Sequence, residues 1–157
     1  TAISFAPSDA LYVGASYFDR DETTNIGQAQ ESGSIVAKFT QGPISFGLGH
    51  TRVSQANLTT KSGDYTNGYN NAAASIGYVV NDDLSISYTR EDSIRQVRNK
   101  LTTQKTSSDV SMEMDTIQAA YTMGGMTISV SNKTVDNDTY TEGKKSKETL
   151  LAFAMAF

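Results

Sequence analysis

DTIQAAYTMGGMTISVSNK, residues 115–133, is the stretch that decides the fold. Apolar side chains recur at every second position on both sides of Met123-Gly124-Gly125, for example at Ile117 and Tyr121 before it and at Ile128 after it. A period of two residues is the pattern of a β-strand, whose successive side chains point to opposite faces of a sheet. The glycine pair between the two runs marks a tight reversal. This stretch therefore predicts two antiparallel strands joined by a short turn.

The same combination of alternating runs and short turns extends over the whole chain. Short turns are predicted at Pro7-Ser8-Asp9, Gln41-Gly42-Pro43, Asn81-Asp82-Asp83 and Met123-Gly124-Gly125. The alternating runs predict the end of one strand at Thr1–Ala6 and full strands at Ala10–Asp19, Glu31–Thr40, Ile44–Arg52, Ala72–Val80, Leu84–Glu91, Asp115–Met123, Met126–Lys133 and Lys147–Phe157. Consecutive strands joined by short turns pair antiparallel. The sequence therefore predicts an all-β, up-and-down arrangement.

Every second connection is long and polar. The four long loops are rich in Asn, Asp, Thr, Ser, Lys and Gly, and they are predicted at Arg20–Gln30, Val53–Asn71, Asp92–Asp109 and Val135–Ser146. A soluble all-β domain has no reason to keep alternate connections short. A β-barrel in a bilayer does, because it has short turns on one side of the membrane and long loops on the other. The alternation therefore predicts a transmembrane antiparallel β-barrel.

Composition excludes several other classes of protein. The 157 residues suffice for one domain, and no window approaches the run of roughly 18 apolar residues that a transmembrane helix needs. The mean hydropathy of −0.38 is compatible with a barrel, because lipid-facing and lumen-facing residues alternate. The chain has no cysteine, so disulfides and cysteine-ligated metals are excluded. Its Lys and Arg residues are scattered, so nucleic acid is not an expected partner. Neither a cofactor nor a metal is predicted.

The more apolar face of the predicted strands carries aromatic side chains near the strand ends. Tyr17, Tyr78 and Tyr121 belong to this set. Such positions are typical of the aromatic girdles that lie at the two membrane interfaces. The alternative is an ordinary β-sandwich, in which the same aromatic rings would pack in a core.

The opposite face consists mostly of Gly, Ala, Ser and Thr. A closed barrel of about eight strands is filled by its own side chains, and this set is too small to fill one. Small, hydroxylated residues instead fit the wall of a wide, water-filled lumen in a barrel of about 16 to 18 strands. The predicted lumen-lining residues are Lys38, Thr51, Thr89, Glu91, Gln118 and Lys133. The three charged residues could bias the passage of ions, and the alternative is a solvated wall without selectivity.

The closing segment Lys147–Phe157, KETLLAFAMAF, resembles the terminal strand of Gram-negative general porins. The segment 115–128 is similar to a strand–turn–strand unit of porins of the alphaproteobacterial kind. In that family the terminal strand is the signal that the barrel-assembly machinery reads. The positions that match this signal are Leu151, Phe153, Met155 and Phe157.

The resemblance implies that the chain is the C-terminal half of a barrel of about 16 strands, which forms a homotrimer in the bacterial outer membrane. It implies a non-enzymatic function, the passive diffusion of ions and small hydrophilic solutes. The constriction loop that porins fold into the lumen, usually the third, is expected in the absent N-terminal half. Membrane lipids and lipopolysaccharide are the expected partners. A basic cluster on one strand end and its loop could meet their phosphates or attract anions to the channel mouth, and the alternative is a solvated loop without such a role. The cluster comprises Arg90, Arg95, Arg98, Lys100 and Lys105.

Two other functions fit the sequence. One is a complete eight-stranded outer-membrane barrel with a structural or adhesive role. The other is a soluble, lipocalin-like binding barrel, with its large apolar side chains inside. Catalysis is not predicted, because the single histidine, His50, fits the outer rim of a strand and the chain has no G-x-S-x-G motif.

The segment Val110–Met114 departs from the pattern of the strand that follows it. Its apolar residues alternate in the opposite phase to those from Ile117 onward. An extra residue in a strand reverses its two faces, so a β-bulge is predicted near Asp115-Thr116.

Overall fold

The fold is that of a computed structural model, which describes residues 1–20, 30–54, 64–99 and 109–155. Within these residues it contains nine β-strands and one turn of 3-10 helix at Asp138–Tyr140. The strands are β1 (Ala2–Ser8), β2 (Leu11–Arg20), β3 (Gln30–Gln41), β4 (Ile44–Ser54), β5 (Asp64–Val79), β6 (Leu84–Asn99), β7 (Val110–Met123), β8 (Met126–Asp136) and β9 (Lys145–Met155). The predicted all-β class is confirmed, with the eight full strands and the strand end that precedes them.

All nine strands belong to one sheet, in which the spatial order follows the sequence order from β1 to β9. Every pair of neighbours is antiparallel. This up-and-down order is the predicted one, and it follows from the tight turns that join every second pair of strands. Among the described residues β1 and β9 each have one strand neighbour. The sheet is therefore a single layer that is not closed.

The short turns have the backbone conformations that their sequences favour. Gly124 and Gly125 both have positive φ, 57° and 82°, as in the two-residue hairpin turns whose twist matches that of the strands. Asn81 forms a different turn, because its Oδ1 accepts hydrogen bonds from the backbone N–H groups of Asp83 (3.0 Å) and Leu84 (2.8 Å). Short connections are confirmed at all four predicted places, although Pro7 and Ser8 belong to β1 and the first turn lies at Asp9-Ala10.

The sheet extends further toward the long loops than the sequence predicts. β5 begins at Asp64 rather than Ala72, β6 ends at Asn99 rather than Glu91, and β7 begins at Val110 rather than Asp115. The predicted loops 53–71 and 92–109 are therefore partly strand. In the β5 and β6 extensions polar residues occupy both faces, so the period-two contrast that reveals a strand in sequence is weak there, although the backbone pairing continues. The β7 extension alternates clearly, but in the opposite phase to the rest of its strand.

The predicted bulge near Asp115-Thr116 is wrong. Asp115 pairs with Arg90 and Thr116 pairs with Thr89 in an unbroken register. The apolar side chains change face at this point without an extra residue. The physical reason is that the chain between β8 and β9, residues 137–144, contacts one face near this point. Tyr140 of this segment is hydrogen-bonded to Ser93, which is buried.

The register shifts of the sheet lie elsewhere, between Phe5 and Ser8 in the β1–β2 pair and between Thr66 and Gly68 in the β5–β6 pair. At the second shift the chain passes so close to β4 that a Cβ on Gly68 would overlap the carbonyl oxygen of Val53. Glycine is required at this position because two backbones approach each other closely.

The register divides the sheet into two faces, because directly opposed partners in an antiparallel ladder lie on the same face. The apolar face contains a row of large side chains that crosses β3 to β7, namely Phe39, Phe46, Ile76, Tyr88 and Ile117. The small-residue face contains the adjacent row Lys38, Gly47, Ser75, Thr89, Thr116, Lys133 and Glu148.

Candidate functional site

Along β4 to β6, the apolar face is more exposed than the small-residue face. Along β4, Ile44, Phe46 and Leu48 of the apolar face are exposed, whereas Ser45 and the glycines of the small-residue face are half-buried. β5 and β6 show the same contrast. Among the described residues Val135 is the one apolar side chain that is buried. The described sheet therefore has no hydrophobic core of its own.

An apolar face of this kind is unstable in water. Full burial of a Leu, Ile or Phe side chain is worth about 1.5–3 kcal/mol, and each of the nine strands exposes at least one large apolar or aromatic side chain on this face. A sheet with one apolar face needs an apolar layer against it. That layer is either protein or lipid.

The residues predicted for the aromatic girdle, Tyr17, Tyr78 and Tyr121, all lie on the apolar face and are exposed. Tyr78 and Tyr121 lie at the short-turn ends of their strands, and Tyr17 lies toward the long-loop end of β2. These tyrosines therefore flank the apolar band on both sides.

Three of the residues predicted for the assembly signal lie on the apolar face of β9. Leu151, Phe153 and Met155 are 57%, 65% and 62% exposed. β9 is an edge strand of the described sheet, so these side chains have strand neighbours on one side. Phe157, the fourth predicted residue, lies outside the described residues.

The predicted lumen-lining residues all lie on the small-residue face. One row contains Lys38, Thr89 and Lys133. The positions toward the long loops are Thr51 and Glu91, and the position toward the short turns is Gln118. The Nζ of Lys133 lies 3.1 Å from Oε2 of Glu148 on β9. Lys38 and Glu91 have no ion-pair partner within the described part of the chain.

The apolar face becomes charged toward the long loops. The guanidinium of Arg90 lies 2.6 Å from a carboxylate oxygen of Glu113, 3.5 Å from one of Asp115 and 3.6 Å from one of Asp92. Tyr88 donates its hydroxyl to Asp115. We call these four charged residues the Arg90 cluster. The apolar band ends where this cluster begins.

The predicted basic cluster does not form one patch. Arg90 lies on the apolar face, whereas Arg95 lies on the small-residue face of the same strand. Arg98 pairs with Asp109, at 3.6 Å between Nη1 and Oδ1. Lys100 and Lys105 lie outside the described residues. The prediction is wrong for the arginines because β6 continues through them, and a strand sends alternate side chains to opposite faces.

At the level of the Arg90 cluster, the small-residue face becomes more apolar. Here Met112, Met114 and Val135 take the place of small hydroxylated residues. Val135 is only 6% exposed. The bulge was predicted from the change of phase in Val110–Met114. The structure shows instead that the two faces exchange polarity there, with carboxylates on the apolar face and apolar groups on the small-residue face.

The β8–β9 loop, residues 137–144, covers this apolar part of the small-residue face. The hydroxyl of Tyr140 donates to Oγ of Ser93 at 2.7 Å, and Ser93 donates in turn to Oδ1 of Asn71 at 2.5 Å. Ser93 is 6% exposed. The loop leaves β8, crosses β7 and reaches β6. There the hydroxyl of Tyr140 is hydrogen-bonded to Ser93.

The ring of Tyr140 makes two further contacts with the small-residue face. The guanidinium carbon of Arg95 lies 5.1 Å from the ring centroid, within the range of cation–π attraction. The ring of Tyr69 on β5 lies 5.6 Å away between centroids, at an interplanar angle of 43°. One side chain of the loop thus contacts two strands that are not its neighbours in the sheet.

Hydrogen bonds within the β8–β9 loop hold a bent backbone. Asn137, Thr139 and Tyr140 have φ of 53°, 57° and 57°, and this left-handed region costs a non-glycine residue roughly 1–2 kcal/mol. The side chain of Asn137 compensates by donating to the carbonyl oxygen of Ser111 (2.8 Å) and accepting from the backbone N–H of Gly143 (2.9 Å). Several strained residues in one short loop are typical of a functional element.

Sequence reasoning missed Tyr140, because it treated 135–146 as one polar loop. A signal for it was present in Met112 and Met114, whose apolar side chains are in phase with a face that is otherwise small and hydroxylated. That signal indicates that something apolar covers the face there, but it does not identify the covering segment.

A groove of about 650 Å³ lies beside the loop on the small-residue face. Its lining includes Tyr140 and Tyr69 from the contact described above, together with Thr51, Glu91 and Met114. The lining also includes Val36, Val53, Ala72, Ala73 and Asp92, so the groove combines a largely apolar surface with hydroxyl groups, two carboxylates and aromatic rings.

Two further kinds of site were sought in the described residues. No group of three or more metal-binding side chains is arranged to hold a metal ion among them. Of the helical residues in the same ranges, none forms a helix with the length and apolar character to cross a membrane.

No protein-family model matches the chain. Comparison with curated proteins and with solved structures likewise found no match. Function is therefore inferred from the two faces of the sheet and from the loop.

Proposed function

We propose that the chain is part of an outer-membrane porin, a water-filled channel through which ions and small hydrophilic solutes diffuse passively. The apolar face contacts lipid, and the small-residue face lines the lumen. The observation that carries this proposal is the exposure of large apolar side chains on one face, opposite a face that along β4 to β6 is largely half-buried and consists mostly of Gly, Ala, Ser and Thr. No catalytic step is part of the proposal.

A soluble, lipocalin-like binder predicts the reverse arrangement. Its large apolar side chains would line the sheltered interior, and its small polar residues would face the solvent. In this sheet the less exposed face carries the small residues, while Phe46 and Leu48 are 46% and 64% exposed. The distribution favours lipid on the outside and water on the inside.

A complete barrel of about eight strands is also disfavoured, because its interior would be packed with side chains. The row that crosses the small-residue face contains Gly47, Ser75, Thr89 and Thr116 between its charged ends, and this set leaves such an interior unfilled. The edges of β1 and β9 are not joined in the described residues. We therefore place the sheet in a larger barrel of about 16 strands.

The borders of the apolar band support a membrane location. Tyr78 and Tyr121 lie at the short-turn border, and Tyr17 and the Arg90 cluster lie at the long-loop border. Aromatic rings followed by charged groups are the order found on crossing a membrane interface. On the long-loop side the Arg90 cluster would meet the headgroups of lipopolysaccharide.

The resemblance of Lys147–Phe157 to the terminal strand of porins adds two expectations. The barrel-assembly machinery would read Leu151, Phe153 and Met155, whose exposed position on an edge strand leaves them accessible. The assembled protein would be a homotrimer, as general porins are.

The proposal is tested on the native polypeptide, extracted with detergent from the membranes of the cells that produce it. We expect stepwise conductance in a planar bilayer and an intact mass roughly double the 16.9 kDa of this chain, as for a porin-sized barrel. A polypeptide that stays in the soluble fraction and gives no conductance would exclude a porin. A membrane-bound polypeptide of 16.9 kDa would instead indicate the small closed barrel with a structural or adhesive role.

A further inference from the structure

We propose that the β8–β9 loop folds into the lumen and narrows the channel, and that Tyr140 is the residue that holds it there. This inference rests on the proposed porin function and concerns the size of the solutes that pass. On the proposed porin function the usual constriction loop would be a different loop, so the β8–β9 loop would be an additional element, contributed by the strands of this chain.

The direction of the loop is given by the residues that it contacts. Ser93, Arg95 and Tyr69, the partners of Tyr140, all lie on the small-residue face. The loop could instead have bent outward over the apolar face or continued along the axis of β8 and β9. It crosses β7 and ends above β6 and β5, which places it over the lumen wall.

The wall beneath the loop is built to receive it. Met112, Met114 and Val135 lie together on the small-residue face at this height, and Val135 and Ser93 are each 6% exposed there. Elsewhere on this face Ser75 and Ser87 carry hydroxyl groups, while Val36 and Leu150 are apolar and are 41% and 57% exposed. Apolar side chains in a water-filled lumen are stable where a segment of protein covers them.

The loop reduces the space available beside it. Tyr140 lines the groove of about 650 Å³ together with Thr51 and Glu91, so the loop occupies part of the space beside this face. If Tyr140 is removed, the loop loses its hydrogen bond to Ser93 and its ring contacts with Arg95 and Tyr69, so it can leave the wall. The channel should then conduct more current and admit larger solutes.

The first measurement compares single-channel conductance and the size limit for neutral sugars in the full-length protein and three variants. Tyr140→Ala removes all the contacts of the ring, and we expect higher conductance and a larger size limit. Tyr140→Phe keeps the ring and loses only the hydroxyl, so we expect an intermediate value. Thr141→Ala is the matched control, because it shortens an exposed side chain of the same loop and leaves the ring of Tyr140 in place, and we expect the conductance of the unmodified protein.

The second measurement follows the loop without a conductance assay. The chain has no cysteine, so Ser93→Cys introduces a single thiol beneath Tyr140. We expect a bulky, water-soluble thiol reagent to label it slowly when Tyr140 is present and much faster in the Tyr140→Ala background. Ser87→Cys, on the same strand and face but away from the loop, should be labelled at one rate in both backgrounds.

The outcomes separate this inference from the proposed function. Faster labelling of Ser93→Cys together with higher conductance of Tyr140→Ala would support both. If the unmodified protein conducts and Tyr140→Ala conducts equally, the loop does not narrow the channel, and the inference is overturned while the porin function stands. Equal labelling of Ser93→Cys in both backgrounds would show that the loop does not cover the wall. A protein with no conductance at all removes the porin function and this inference with it.

Discussion

Glu91 places a carboxylate on the small-residue face, and no cation pairs with it within the described part of the chain. It lines the groove beside Tyr140. An unpaired charge beside a narrow, water-filled passage attracts counter-ions and repels ions of like charge. Glu113, by contrast, lies on the apolar face and is paired with Arg90 at 2.6 Å.

If the proposed channel forms, we expect Glu91→Gln to shift its ion preference away from cations. The measurement is the reversal potential across a bilayer that separates two concentrations of potassium chloride. The potential should shift toward that of a more anion-preferring channel, and the shift should be larger at low salt, where screening is weaker. Glu113→Gln is the control and should leave the potential unchanged. An equal shift in both variants would mean that the two faces do not have the assigned surroundings.

Gly68 gives a second prediction at the level of one residue. Its missing Cβ allows β5 to approach the carbonyl oxygen of Val53, so Gly68→Ala should lower the free energy of unfolding by about 1–3 kcal/mol through overpacking. Gly49→Ala is the matched control, because a Cβ there would make ordinary contacts with Val36 and Ala73 at 3.8 and 4.0 Å. Urea unfolding of the reconstituted protein measures the difference. Equal stability of the two variants would contradict the close approach.

At the scale of a strand, the two faces should differ in the cost of a charge. Val130 lies within the apolar band, and Ser131, the next residue, lies on the small-residue face. Val130→Arg should cost about 2–4 kcal/mol, as arginine does near the middle of a bilayer, and Ser131→Arg should cost far less because it points into water. Unfolding from lipid vesicles measures both. Similar costs would mean that the apolar face does not contact lipid.

The strands also show how far sequence reasoning reaches. Period-two alternation assigned Tyr78, Glu91 and Val130 to the correct faces, because the geometry of a strand fixes the side on which each side chain lies. It failed at Val110–Met114 because a change in apolar phase has two causes, an extra residue or a change in what covers each face. Contact of Tyr140 with β5 and β6 links residues far apart in sequence, and no local pattern predicts such a contact.

For the whole molecule, the proposed membrane location predicts that the protein depends on detergent. Large side chains such as Leu48, Ile117 and Phe153 are 64%, 64% and 65% exposed, and the residues that the structure describes form no second layer that covers them. We expect the protein to remain dispersed in detergent and to aggregate when detergent is removed, because apolar patches this large promote association in water. Sedimentation before and after detergent removal measures this. A dispersed, folded monomer without detergent would support the lipocalin-like alternative.

The number of strands in the sheet has a consequence of its own. Neighbours alternate in direction, so β1 and β9, the first and last of nine, run the same way. Joined directly, they would form a parallel seam. A fully antiparallel ring contains an even number of strands, so any ring that includes these nine must take an odd number more, and about seven would complete a ring of about 16. The segment that supplies these additional strands would begin on one side of such a ring and end on the other. Any complete ring proposed for this protein must satisfy this condition.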